Sequence, residues 1–298
     1  MNKICRVSQC LLPLIAALAL ALPAEASLGR IECRAVSSKI LRRDIRYCAI
    51  LPPTYDASKT RRFPVLYFLH GLGGNEQWIV ASGGWNLIED LWQQDLIREF
   101  LIVTPDGDTS FYINSRDGRE RYEDFFIREF IPFIDRTYRT KAERRYRGIG
   151  GVSMGGYGAL HLAFRYPQMF TSVSANSAAL IEKLPNVSFA DPRHSRLLRI
   201  LDAFGRPPDR KYWDRNNPFT FARTAHLNGM KIYFDCGTED DFAFEEGAQQ
   251  FHELLNSLHI PHEFHLYPGG HDAIYFARHM PAAFEFHSHA FAAASNQK

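Results

Sequence analysis

Residues 147–158 read RGIGGVSMGGYG, and this stretch decides the fold. Its centre, from Gly151 to Gly155, has the pattern G-x-S-x-G around Ser153. A strand is predicted over 146–152, followed by a helix over 156–166 that Pro167 ends. Glycines on both sides of a serine allow a sharp turn from strand to helix, where neighbouring side chains would clash. Such a turn would lift the Ser153 hydroxyl clear of the sheet, so Ser153 is a candidate nucleophile.

Strand and helix patterns alternate on both sides of this turn. Further strands are predicted over 40–51, 64–70, 100–104, 171–175, 230–236 and 263–267, and further helices over 87–100, 122–138 and 244–258. The run over 65–69 is apolar on both faces, as in a central strand with helices on each side. Repeated alternation of this kind predicts an α/β fold, with a mostly parallel central sheet and helices on both faces.

Residues 178–228 interrupt the alternation with several prolines and arginines, which predicts a small cap insertion. Neither a repeat nor a linker divides the rest, so a single domain over 27–298 is expected. The 35 Lys and Arg nearly balance the 33 Asp and Glu, which gives no electrostatic reason to expect nucleic acid or an anionic membrane as partner. A small-molecule partner fits this balance better, and the oligomeric state is left open.

The first 26 residues have the features of a cleaved signal peptide. Lys3 and Arg6 give a positive start, residues 11–22 are apolar, and Ala24-Glu25-Ala26 provides a cleavage site. The apolar stretch is shorter than the roughly 20 residues of a comfortable membrane span, so no stable membrane insertion is expected after cleavage. The sequence therefore predicts export, to the periplasm or beyond the cell.

Three of the five cysteines would remain after cleavage. Cys33 and Cys48 flank what reads as a strand pair, and an oxidising compartment would allow them to form a disulfide. The Cα separation that a disulfide requires cannot be read from sequence, so this pairing stays open. Cys236 follows an apolar run and is predicted to be a small buried core residue.

A serine nucleophile needs a base within hydrogen-bond reach and an acid that orients the base. In folds with this turn, the acid and then the histidine follow the serine, on loops at the carboxyl ends of later strands. His271 is the predicted base, because it lies in a glycine turn just after the 263–267 strand. Asp240 is the predicted acid, although Glu239 and Asp241 are adjacent and a shift of one residue would exchange them.

Attack on an ester places negative charge on the carbonyl oxygen, which backbone N–H groups can stabilise. One donor is expected from Met154, directly after the candidate nucleophile. The other is expected from the glycine-rich loop over 70–74, where Leu72 is the favoured position. His70 is interpreted as a residue that orients this loop.

Six motifs in order give the chain a resemblance to the esterase D family of α/β-hydrolases, which includes feruloyl esterases, S-formylglutathione hydrolases and bacterial mycolyltransferases. The motifs lie at 70–74, 105–107, 122–124, 151–158, 237–240 and 269–271, within a resemblance that covers roughly 38–290. It implies Ser153 as nucleophile, Asp240 as acid, His271 as base, and the N–H groups of Leu72 and Met154 as oxyanion hole. It also implies a mechanism without metal or cofactor, in which an acyl group passes from Ser153 to water or another hydroxyl.

The resemblance leaves the substrate open among short-chain, aryl and sugar esters. Trp78, Trp85 and Tyr112 follow loops that should line the cleft, where they would stack on a ring or pack in the core. Two other functions are kept as alternatives. One is acyl transfer to a sugar hydroxyl, and the other is a non-catalytic exported binding protein on a hydrolase fold.

Overall fold

The computed structural model describes residues 28–184 and 201–296. Within these ranges eight strands form one sheet, in the order β1-β2-β4-β3-β5-β6-β7-β8. The strands are β1 Arg30–Ser38, β2 Arg43–Leu51, β3 Val65–Leu69, β4 Leu101–Pro105, β5 Arg147–Val152, β6 Ser172–Asn176, β7 Lys231–Gly237 and β8 Glu263–Tyr267. β2 pairs antiparallel with β1 and β4, and every other pair is parallel. The predicted α/β fold with a mostly parallel sheet is confirmed.

Helices cover both faces of this sheet. They are α1 Trp78–Ala81, α2 Gly84–Gln93, α3 Tyr122–Phe125, α4 Ile131–Thr137, α5 Met154–Arg165, α6 Arg210–Asn216, α7 Pro218–Thr224, α8 Phe244–Ser257 and α9 Ala273–Asn296. A π-helical segment, Phe126–Phe130, joins α3 to α4. Within the described ranges, none of these helices combines the length and hydropathy required to cross a bilayer.

The side chains of each central strand alternate between two cores. In β3, Val65, Tyr67 and Leu69 face a core shared with α5 and α8. Leu66 and Phe68 face the opposite core, which α2 and α9 complete. All five β3 side chains are buried, because helices cover the sheet on both sides.

Two helices of the structure differ from what the sequence patterns indicated. The predicted helix over 87–100 begins earlier, at Gly84, and ends at Gln93. Asp95 then adopts a left-handed conformation with φ 54°, and the Leu96 and Ile97 N–H groups both turn back to the Leu91 carbonyl. The long C-terminal helix α9 was not predicted at all, and it contains Pro281, which sequence patterns treat as a helix breaker.

Cys33 and Cys48 form a disulfide, which settles the open pairing. They are directly opposite each other in the antiparallel register of β1 and β2. Cys236 is buried, as predicted for a core residue, and burial raises the pKa of its thiol.

The cap is described only in part. The predicted signal peptide over 1–26 and cap residues 185–200 lie outside the described ranges. In the described part, α6 rests on α5, because the Asn216 carbonyl accepts hydrogen bonds from the Tyr157 hydroxyl at 2.7 Å and from His161 Nδ1 at 2.8 Å. The cap is therefore fixed to the helix that follows Ser153.

Candidate active site

The turn between β5 and α5 holds Ser153 in a strained conformation. Its backbone has φ 55° and ψ −118°, a combination that non-glycine residues rarely adopt. Its N–H donates to the Asn176 carbonyl at 3.0 Å. A side chain at Gly155 would collide with the Leu69 carbonyl, and a Cβ at Gly151 would lie 2.6 Å from the same oxygen. The two glycines thus let the helix start pack against the end of β3, and Ser153 stays partly exposed among buried neighbours.

His271 and Asp240 form a hydrogen-bonded pair on neighbouring loops. His271 Nδ1 lies 2.7 Å from Asp240 Oδ2. A carboxylate only accepts, so Nδ1 carries the proton and Nε2 keeps a free lone pair. Burial alone would raise the pKa of Asp240, but the hydrogen bond and charge of His271, together with backbone N–H groups of Phe242 and Phe244, lower the pKa overall. Asp240 is buried whereas Glu239 and Asp241 are exposed, so Asp240 is the carboxyl that contacts the imidazole.

Backbone hydrogen bonds fasten these two loops together. The Thr238 N–H donates to the Tyr267 carbonyl at 2.8 Å, and the Glu239 N–H donates to the Gly269 carbonyl at 3.0 Å. The loops leave the carboxyl ends of β7 and β8, which are adjacent parallel strands. The spacing between the acid and the histidine is therefore set by the sheet.

Three phenylalanine rings contact the His271 imidazole edge-on. The ring centroids of Phe242, Phe244 and Phe276 lie 4.9, 5.5 and 5.4 Å from that of the imidazole. Phe276 is buried, Phe244 is half-buried, and Phe242 is exposed. Together these rings hold the imidazole plane in one orientation.

The loop over 70–74 lies against the serine turn. A Cβ built on Gly71 would lie 3.2 Å from Ser153 Cβ, so the backbone before Leu72 passes next to the serine. Met154 occupies the other predicted donor position, as the first residue of α5, and its side chain is buried. Leu72 has an exposed side chain.

His70 anchors this loop from below. Its Nε2 accepts from the Gly107 N–H at 2.8 Å, and its Nδ1 donates to the Gly71 carbonyl at 2.8 Å, so the ring is a neutral Nδ1–H tautomer. The Tyr112 hydroxyl also donates to the His70 carbonyl at 3.0 Å. His70 therefore links the loop over 70–74 to Gly107 and Tyr112, in agreement with its interpretation as a residue that orients this loop.

Beneath the site lies a buried polar cluster that sequence reasoning missed. Asp235 lies in β7, two residues before its last residue. It accepts from Asn176 Nδ2 at 2.6 Å and from the Tyr275 hydroxyl at 2.7 Å. Burial raises the pKa of Asp235 to about 6. Asn176 is the residue whose carbonyl accepts from Ser153, and Tyr275 follows His271 by four positions. The sequence signal that could have identified this cluster is an aspartate within an otherwise apolar strand.

The three aromatic residues predicted near the cleft differ in their surroundings. Tyr112 is fully buried, so it belongs to the core. Trp78 is half-buried and packs on Phe68 and Phe276, with centroids 6.4 and 5.9 Å apart. Trp85 is also half-buried. In the part of the chain that the structure describes, no three His, Cys, Asp or Glu side chains are grouped to hold a metal ion.

Comparison with known proteins gives consistent results. The family described as "Putative esterase" matches residues 38–287. Esterase Rv1288 of Mycobacterium tuberculosis is 31% identical over 256 residues, covering 74% of this chain and 51% of its own length. This chain thus spans about half of that relative. The acetyl esterase of Caldicellulosiruptor saccharolyticus is 29% identical, covering 84% of this chain and 95% of its own length. A solved ferulic acid esterase superposes with a TM-score of 0.76 at 25% identity, covering 88% of this chain and 98% of its own.

Proposed function

The chain belongs to the putative esterase family, and from this premise we propose that it is an exported serine hydrolase that cleaves carboxylic esters. The observation that carries the proposal is the 2.7 Å hydrogen bond between His271 Nδ1 and Asp240 Oδ2. Both loops leave the carboxyl ends of strands parallel to β5, at the edge of the sheet that also carries the strained Ser153 turn. The hydrogen bond fixes the tautomer that leaves Nε2 able to accept a proton from a serine hydroxyl.

The reaction proceeds in two steps. Nε2 of His271 takes the Ser153 proton while Oγ attacks the ester carbonyl, and Asp240 stabilises the imidazolium that forms. The imidazolium then gives its proton to the departing alcohol, which leaves an acyl group on Ser153. Water attacks this acyl-enzyme in the same way, giving its proton to His271, and the free acid and Ser153 are regenerated.

The N–H groups of Leu72 and Met154 are proposed to receive the oxyanion. Gly71 next to Ser153 supports the first, and the start of α5 supports the second. Each such donor contributes roughly 3 to 4 kcal/mol to the transition state. Anchoring by His70 and Tyr112 keeps the Leu72 loop in place before substrate arrives.

Short-chain, aryl and sugar esters are the proposed substrates, and export is proposed from the sequence of the first 26 residues. The relatives support the ester class, since their names are esterase, acetyl esterase and ferulic acid esterase. No cofactor enters the proposed mechanism, because serine, histidine and carboxylate supply the nucleophile, the base and the orienting charge.

The nucleophile is tested with p-nitrophenyl acetate and with a fluorophosphonate probe. Ser153→Ala should abolish turnover and labelling, while the exposed Ser257→Ala at the end of α8 should change neither. Far-UV circular dichroism checks that both variants are folded. Full turnover by folded Ser153→Ala would refute the assignment.

The acid is tested by three matched variants in adjacent positions. Asp240→Asn should lower kcat by about 10⁴, the effect expected when the imidazole loses its orienting carboxylate. Glu239→Gln and Asp241→Asn should stay within about threefold, because surface charges of this kind contribute little. Equal losses in all three would count against Asp240.

The alternative function, acyl transfer to a sugar hydroxyl, is tested by analysing the products with and without added oligosaccharide. If new ester forms at the expense of free acid when oligosaccharide is added, the protein is an acyltransferase rather than a hydrolase.

A further inference from the structure

Phe242 is a large apolar side chain that remains in water beside the proposed base. Its exposed fraction is 47%, although it lies two residues after the buried Asp240. Seven large apolar side chains are exposed in residues 28–184 and 201–296: Leu28, Leu72, Leu96, Phe242, Leu258, Leu266 and Ile274. Phe242 is the aromatic side chain of this set, and its ring centroid lies 4.9 Å from that of the His271 imidazole. Because its ring also contacts Phe244, the two rings form an apolar surface beside the imidazole, of the kind that lines small-molecule sites.

The Phe242 ring is held firmly by its surroundings. Its backbone N–H donates to Asp240 Oδ1 at 2.9 Å, which fixes the start of the side chain. Its ring stacks on Phe244, with centroids 5.4 Å apart and planes inclined by 22°. A ring that is fixed before binding loses little conformational entropy when a ligand packs on it. Phe242 therefore has the properties of a preformed binding wall.

The role of His271 as the base determines which part of an ester substrate lies next to the Phe242 ring. Nδ1 of His271 is bonded to Asp240, so only the Nε2 side of the imidazole meets substrate. Nε2 returns its proton to the departing alcohol, and the alcohol must therefore lie beside the imidazole. In the proposed oxyanion hole, the acyl carbonyl oxygen instead points toward the loop over 70–74. A ring in contact with His271 and open to solvent thus faces the alcohol part.

From these contacts we infer that Phe242 forms the wall of a subsite for the alcohol part of the ester, and that this alcohol carries an apolar, preferably aromatic, group. The inference rests on the proposed function, because it assigns the alcohol side through the role of His271. Aromatic groups gain from offset or edge-on contact with a phenylalanine ring beyond the burial of area.

The experiment compares two acetates in a pH-stat, which measures released acid and needs no chromophore. Benzyl acetate and 2-methoxyethyl acetate share the acyl group, and their alcohols have similar acidity, but only the first carries an aromatic ring. We expect the wild-type enzyme to prefer benzyl acetate in kcat/KM. Phe242→Ala should reduce the ratio of the two kcat/KM values by about tenfold. Phe242→Leu should reduce it less, because an apolar wall remains.

Leu96→Ala is the matched control, since Leu96 has the same exposed fraction of 47% but lies on the loop after α2. This variant should leave the ratio unchanged. A ratio unchanged in Phe242→Ala would overturn the inference. Equal losses on both esters would also overturn it, because the ring would then only hold the imidazole. Failure of the proposed function would look different: wild-type protein would cleave neither acetate and Ser153 would not react with a fluorophosphonate.

Discussion

The Tyr275 hydroxyl donates a hydrogen bond of 2.7 Å to Oδ1 of Asp235, a carboxyl group that is 1% exposed. Tyr275 lies in the first turn of α9, and Asp235 lies in β7. This bond ties the segment that follows His271 to β7, the strand next to the β8 edge of the sheet. The same carboxyl is bonded to Asn176, whose backbone receives the Ser153 N–H.

Tyr275→Phe should lower the free energy of unfolding by about 1–3 kcal/mol, because it leaves a buried carboxylate oxygen without a donor. Urea denaturation at neutral pH measures this change. Tyr146→Phe is the control, since that ring packs on Lys141 and Arg145 through its face. A loss no larger than that of the control would mean that water replaces the Tyr275 hydroxyl.

Asp235→Asn should alter the pH dependence of stability in a defined direction. Burial raises the pKa of Asp235 from 3.8 to about 6, so the folded state binds more protons than the unfolded state between these values. This group therefore makes the free energy of unfolding fall as pH rises from about 4 to about 6, by about 3 kcal/mol at most. The variant should lack that fall. Denaturation curves at several pH values across this window test it, and parallel curves for both proteins would contradict it.

His287 should contribute a pH dependence of the opposite sign. It is fully buried between the hydroxyls of Ser172 and Ser174, at 2.8 and 2.9 Å, and burial lowers its pKa to about 3. The unfolded state then binds more protons between about pH 3 and about pH 6.5, so stability falls as pH is lowered through this range. His287→Gln should flatten the acid limb of the stability profile. An acid limb as steep as that of the wild type would show that His287 is not its source.

The disulfide should stabilise the edge of the sheet. Cys33 and Cys48 are separated by 15 positions, and closing a loop of this length contributes about 3 kcal/mol by restricting the unfolded chain. Dithiothreitol should lower the free energy of unfolding of the wild-type protein by about this amount. The double variant Cys33→Ala/Cys48→Ala should start at the lower value and not respond to the reductant. A response in the double variant would indicate another source of the effect.

Local sequence patterns were enough to predict an element where the hydrophobic pattern and the turn residues indicated the same structure. The strand at 263–267 has the predicted bounds, and the serine turn lies between β5 and α5 as expected. Patterns failed where tertiary packing overrode them. Ile97 and Phe100 continue the apolar spacing of α2, yet they fill the core from a loop. Pro281 obscured α9, whose aromatic residues pack under the sheet.

The site shows the same division between local and tertiary information. Glu239, Asp240 and Asp241 are adjacent carboxyls in sequence, and the structure distinguishes Asp240 by its burial and by its hydrogen bond to His271. Likewise, two cysteines flanking a strand pair become a bonded pair only through the β1–β2 register. Contacts that depend on register or burial need the three-dimensional arrangement.

One helix, α9, begins two residues after His271 and extends under β5 and β6, where His287 meets Ser172 and Ser174. Shortening α9 from its C-terminal end would therefore expose the apolar side chains of the sheet that α9 covers. It would also weaken the attachment of the His271 loop, which directly precedes α9. Deletions at a chain terminus are usually among the mildest changes to a protein. Here a deletion that reached Phe284 would reduce both solubility and turnover, so a tag is better joined beyond the helix than within it.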